Sequence, residues 1–273
     1  MKNKIFLFSA ILLGLVVEGC KKPVLHNGNS DSAVEMETPD TKDKMNTDAQ
    51  IFAKPQVPVL CYHRISEGTK SEYKVSPTTF AAHMKILSDS GYHSISPAQL
   101  YNYLVYNKAL PDKPFVISFD DSRAEHALIA APVMEKYGFK AVFFIMTITY
   151  NKKNYMTTAQ ISALANKGNT IGLHSWDHTM VTKYKEAADW KKQVADPKKK
   201  LEKIIGKSVD YWAYPNGVFD HRGAAELSKY FKLSFSLSTK RDSLEPLQTV
   251  RRIIVPECTP QGLLKMMKRS FGK

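Results

Sequence analysis

Two polar clusters in this sequence could act on one substrate together. Ser118-Phe119-Asp120-Asp121 sets adjacent carboxylates at the end of an apolar run. Neighbouring carboxylates repel, and burying both is costly unless a cation neutralises at least one of them. A metal beside Asp121 leaves Asp120 free as a base. His174-Ser175-Trp176-Asp177-His178 leaves another apolar run with two imidazoles four residues apart. Such a pair can converge on one ion through a helical turn or a tight loop. One carboxylate and two imidazoles leave positions open to water and substrate, the arrangement of a catalytic rather than a structural metal. Each signal is weak alone, because paired aspartates also cap helices and spaced histidines also pack. The glutamate of a His-Glu-x-x-His protease is absent, since Ser175 stands in its place.

These groups need a scaffold, and the apolar pattern supplies one. Val57 to Tyr62, Phe115 to Phe119, Lys140 to Met146, Thr170 to Leu173, Asp210 to Tyr214, Leu233 to Leu237 and Arg252 to Val255 read as strands. Helical signals separate them. Ser76-Pro77 and Ser96-Pro97 each offer an N-cap followed by proline at the first helical position. Thr157 with Gln160 forms a capping box, and Gly91 and Gly168 close two of the helices. Continuous apolar strands alternating with helices imply parallel pairing with helices over the sheet. The expected fold is α/β, a distorted or incomplete (β/α) barrel of about seven parallel strands. A doubly wound open sheet is the alternative. In either, sites lie at the carboxyl ends of the strands, where both polar clusters fall.

The N-terminus points to the compartment. Lys2 and Lys4 precede an apolar run from Ile5 to Val17, too short for a spanning helix. The run ends in Val17-Glu18-Gly19-Cys20, similar to a bacterial lipoprotein signal in which the cysteine is acylated. Residues 1–19 are thus expected to be a signal peptide and Cys20 a lipid anchor, giving an exported, membrane-anchored lipoprotein. Residues 20–56 are rich in Asn, Asp, Ser, Thr, Lys and Pro and read as a flexible tether with a reach of roughly 30–35 Å. The folded domain is expected over 57–273. Cys61 and Cys258 remain, and their spacing argues for no particular pairing. The formal net charge of +13 suggests an anionic neighbour, yet no nucleic-acid motif interleaves aromatic with basic residues. The lysines concentrate between Lys183 and Lys207, a stretch that reads as a solvated helix face.

From about Pro58 onward the chain resembles the polysaccharide deacetylases of carbohydrate esterase family 4, the NodB-like group. Ser118-Phe119-Asp120-Asp121 is similar to the first family motif, which implies Asp120 as general base and Asp121 as metal ligand. His174 and His178 match the second motif and take the other ligand roles. Tyr214-Pro215-Asn216-Gly217 looks like the third, implying an oxyanion-binding backbone N–H at Asn216, after Pro215. Val57-Pro58-Val59-Leu60-Cys61-Tyr62-His63-Arg64-Ile65 resembles the opening strand of the poly-N-acetylglucosamine deacetylase branch, which implies His63 as general acid.

The resemblance implies a divalent metal, zinc above all, and hydrolysis of N-acetyl groups from an N-acetylglucosamine-containing polysaccharide. Departures from the pattern are Ser122, where glycine is usual, and Ala213, where the base-orienting arginine is usual. Arg252 and Arg64 are both candidates to replace that arginine. Trp176 and Trp212 flank the motifs and are candidates for a sugar platform or acetyl pocket, with core packing as the alternative for each. His126 and His93 are expected to be surface or packing residues. Rival readings are a hydrolase of another amide or ester on the same fold, and a glycan-binding lipoprotein without catalysis.

Overall fold

A computed structural model describes residues 44–69 and 71–272. Seven strand segments in it run parallel in one sheet. They are β1 (Val59–Tyr62), β2 (Pro114–Phe119), β3 (Ala141–Ile145), β4 (Thr170–Leu173), β5 (Tyr211–Ala213), β6 (Leu233–Ser236) and β7 (Val250–Arg251 continued by Ile253–Ile254). Each of the first six pairs with its successor, so the sheet curls in chain order. β7 brings it round. Val250 and Arg251 pair with β6, whereas Ile253 and Ile254 pair with β1. The changeover falls at Arg252, the one seam in a nearly closed barrel.

Strand alternation divides the core into two layers. Val59, Val116, Val142, Phe144, Tyr211, Ala213, Leu233 and Phe235 pack with one another in the inner layer. Leu60, Ile117, Phe119, Phe143, Leu173, Trp212 and Tyr214 face outward and are covered by helices. The helices begin where the sequence signals them. Ser76, Ser96 and Thr157 cap Pro77–Asp89, Pro97–Tyr106 and Thr158–Asn166, each accepting a backbone N–H three residues on. The lysine-rich stretch is helical from Ala187 to Ile205, with one π turn at Lys191–Ala195.

The expected signal peptide, Cys20 and the expected tether through residue 43 lie outside the described residues. The end of the expected tether is not coil. Thr47 and Gln50 form a capping box for the helix Asp48–Ala53, which buries Ile51. Arg241 donates to the Ile51 and Lys54 carbonyls and so holds that helix to the domain. One buried isoleucine and a capping box were too little pattern to outweigh the polar composition around them. Elements that carried no sequence expectation include the short pair Arg64–Ile65 with Lys74–Val75, the strand His93–Ser94 beside β2, the helix His221–Leu227 capped by Asp220, and the helix Pro260–Phe271 capped by Thr259.

Candidate active site

The carboxyl ends of β1, β2, β4 and β5 open into one cavity of about 240 Å³. Its lining includes His63, Asp120, Asp121, His174, His178 and Asn216 among the residues singled out from sequence, with Tyr73, Gly217 and Leu237 in addition. Asp121 Oδ1 lies 3.8 Å from His174 Nε2 and 3.7 Å from His178 Nε2. Those separations suit three donors meeting on one ion, and the three side chains form a possible ligand group. The donor chemistry fits too. His174 Nδ1 lies 2.7 Å from the Ala213 carbonyl, a contact that fixes the proton there and leaves the Nε2 lone pair for a metal. Burial lowers the His174 pKa, favouring that neutral ring.

The loops bend sharply to make this geometry. Asp121 and Ser122 have φ of 71° and 58°, and Ser175 and His178 have 62° and 71°. Left-handed backbone costs a side-chain-bearing residue about 1–2 kcal/mol. Hydrogen bonds offset part of that. The Ser122 hydroxyl accepts the Met146 N–H at 2.7 Å, and its carbonyl accepts the Met156 N–H. The Ser175 hydroxyl accepts the His178 N–H at 2.8 Å, so the histidine pair sits on a tight loop and not on a helical turn. Ser122 therefore takes the backbone angle that glycine would take freely, and its hydroxyl ties the motif to the end of β3.

Asp120 is buried, and Arg252 grips it. Nη1 donates to Oδ1 at 2.7 Å and Nη2 to Oδ2 at 2.8 Å. Such a two-pronged pair fixes the carboxylate plane. Burial would raise the Asp120 pKa, but Arg252, then His174 and His63, outweigh it and hold the carboxyl well below its usual range. Of the two arginine candidates, Arg252 meets Asp120, while Arg64 pairs with Glu125 at 2.7 Å. His63 Nε2 lies 3.9 Å from Asp120 Oδ2. Burial depresses the His63 pKa, partly countered by Asp120 and Asp121.

The tryptophans go elsewhere. Trp212 is fully buried beside Tyr214 and Phe231 in the outer layer, so it is a core residue. It stands between Tyr211 and Ala213 on β5, and alternation turns it away from the cavity. Trp176 does not line the cavity, and Lys192 sits over its ring at 4.5 Å. Pro215 is buried and starts the turn that carries Asn216 at φ 58°. His126, expected to be a surface or packing residue, is wholly buried, with Nε2 on the His63 carbonyl. Cys61 and Cys258 are both free thiols, and the Cys61 thiol donates weakly to Asp120 at 3.6 Å. Sequence reading missed Tyr73, whose ring meets His63 edge-on at a centroid distance of 5.1 Å. Its signal was its place in the short loop after the His63 strand.

The profile of the polysaccharide deacetylase family matches residues 107–231, and that stretch is a polysaccharide deacetylase domain. His63 and Arg252 complete the site from outside the matched stretch. The chain is 28% identical over 240 residues to YxkH of Bacillus subtilis, a provisionally assigned polysaccharide deacetylase, covering 84% of this chain and 85% of the relative. It also resembles the crystal structure of a polysaccharide deacetylase from Bacillus cereus, with a TM-score of 0.68, 26% identity, and 78% and 69% of the two chains covered. The Streptococcus pyogenes deacetylase PplD, solved with acetate, shares the fold, with a TM-score of 0.73, 24% identity, and 78% and 99% covered.

Proposed function

We propose that this deacetylase removes N-acetyl groups from an N-acetylglucosamine-containing polysaccharide, uses a divalent metal, zinc, and works outside the cytoplasm on a lipid anchor at Cys20. The observation that carries the reading is the arrangement of Asp120. It is held as an anion by Arg252 beside the Asp121–His174–His178 donor set, with His63 across the same cavity.

Asp121, His174 and His178 would hold the ion, whose Lewis acidity acts on water and on the acetyl carbonyl. Asp120, oriented by Arg252, takes a proton from the attacking water as the carbon–oxygen bond forms. The Asn216 N–H, on the cavity wall, donates to the oxygen that gains charge. His63 gives a proton to the amine nitrogen as the carbon–nitrogen bond breaks, and acetate and a glucosamine unit leave. Tyr73 is exposed at the mouth and offers its ring face to a sugar. Arg252 in the orienting position counts against a binder without catalysis, because such a binder has no use for a buried, clamped carboxylate.

Acetate release from N-acetylglucosamine oligomers of several linkages tests the reading, with chelator-treated and zinc-reconstituted protein side by side. Zinc-restored release from at least one linkage is expected. Tight zinc binding with no release from any glycan, but turnover of another acetyl ester or amide, would replace the substrate class.

A further inference from the structure

His126 has no part in the chemistry above, yet its surroundings are specific. It opens the π turn His126–Ala130 on the segment that follows the two aspartates. Its ring is wholly buried against Phe119, the residue before Asp120, at a centroid distance of 4.9 Å, with Phe143 beyond. Nε2 contacts the backbone carbonyl of His63. Nδ1 is buried without a hydrogen-bond partner among the described residues. An apolar side chain would fill such a place without leaving a polar atom unpaired, so packing alone does not explain an imidazole here. π turns also recur at functional sites, where one extra residue re-aims a side chain. The preceding residue repeats the pattern. Glu125 accepts from Arg64 Nε at 2.7 Å, so consecutive residues grip both His63 and Arg64.

We infer that His126 is a positioning residue for the general acid: its Nε2–H fixes the His63 carbonyl, and with it the angle at which the His63 ring enters the cavity. The inference rests on the proposed role of His63. The His126 ring suits the task because burial pushes its pKa down to about 4, which keeps it neutral with one N–H to give. Without that bond the strand end is free to rotate, and a displacement of about 1 Å at a catalytic group can cost 100-fold in rate.

The test compares two acetyl substrates in the zinc-loaded enzyme. An N-acetylglucosamine oligomer needs its amine protonated on departure, whereas an aryl acetate with a nitrophenolate leaving group does not. Loss of the acid should therefore depress amide turnover and spare the ester. His63→Ala calibrates the assay and is expected to lower amide kcat by roughly 100-fold or more, with ester hydrolysis nearly unchanged. His126→Leu should lower amide kcat by roughly 10- to 100-fold, leave KM within about twofold and spare the ester. His126→Gln, which keeps an N–H at the same reach, should recover most of the loss. If the leucine variant does not fold, His126→Asn, polar but shorter, takes its place. Unselective loss in His126→Leu beside selective loss in His63→Ala would overturn the positioning role alone. Full amide turnover in His126→Leu, or no recovery with glutamine, would do the same. Equal loss of both substrates in His63→Ala would remove the acid assignment, and this inference with it.

Discussion

Replacing Arg252 by methionine removes a cation that is 2% exposed and leaves Asp120, 1% exposed, charged and unanswered. Two short hydrogen bonds go, at 2.7 and 2.8 Å, along with the attraction that overcomes the carboxylate's desolvation. Breaking one side of a buried pair typically costs about 3–5 kcal/mol, most of it the penalty for the stranded charge. In a domain of this size that is a fall on the order of 10 °C in Tm. The origin of the cost makes a sharper demand. Adding Asp120→Asn to Arg252→Met removes the stranded charge, so the double variant should be more stable than Arg252→Met alone. The coupling between the two sites should reach at least about 2 kcal/mol. Urea unfolding of chelator-treated protein at neutral pH, followed by circular dichroism, measures all four corners of the cycle. Additive effects, or a single variant as stable as wild type, would refute the account of the clamp.

Three further outcomes follow from the same geometry. Asp121→Ala should weaken zinc binding at least 100-fold in chelator competition, while Asp120→Asn keeps zinc but loses roughly 100- to 10,000-fold in acetate release; equal effects on binding would merge the two roles. Tyr73→Ala should raise KM for oligomers by about tenfold, equivalent to ~1.4 kcal/mol of sugar contact, with little change in kcat. His126 makes the fold sensitive to acid: burial favours the neutral ring in the native state, with a pKa of about 4 against 6.5 in the unfolded chain. Its contribution is complete above pH ~6.5 and falls away as pH drops toward ~4, by roughly 3 kcal/mol in all, so the stability gap between wild type and His126→Gln should shift by that much in favour of the glutamine variant. Parallel stability curves for the two proteins across that range would contradict it.

The strands were legible because a parallel sheet covered on both faces writes itself as unbroken apolar runs, and all seven fall within two residues of expectation at either end. The convergence of Asp121, His174 and His178 was legible because strand ends and polar clusters coincide. The partner of Asp120 was not. Arg64 and Arg252 both adjoin strands, and only the way β7 closes the ring brings Arg252, 132 positions along the chain, to Asp120. Trp212 misled because closeness in sequence to a motif was taken for closeness in space, whereas on a strand the next residue points the other way. His126 was passed over because its partner is a backbone carbonyl 63 residues back, which no side-chain pattern records.

The seam at Arg252 also sets an order of assembly. Until β7 docks, β1 and β6 each present an unpaired strand edge, and those two edges belong to segments about 170 residues apart. Cys61 meets Ile254 only when nearly the whole domain has left the ribosome. Such long-range closure is slow, and bare edges meanwhile invite pairing with other chains. The same late segment delivers the arginine that clamps Asp120. A chain stopped short of residue 250 would carry Asp121, His174 and His178 and still lack the clamp on Asp120, so a set carboxylate and a sealed sheet arrive in one event.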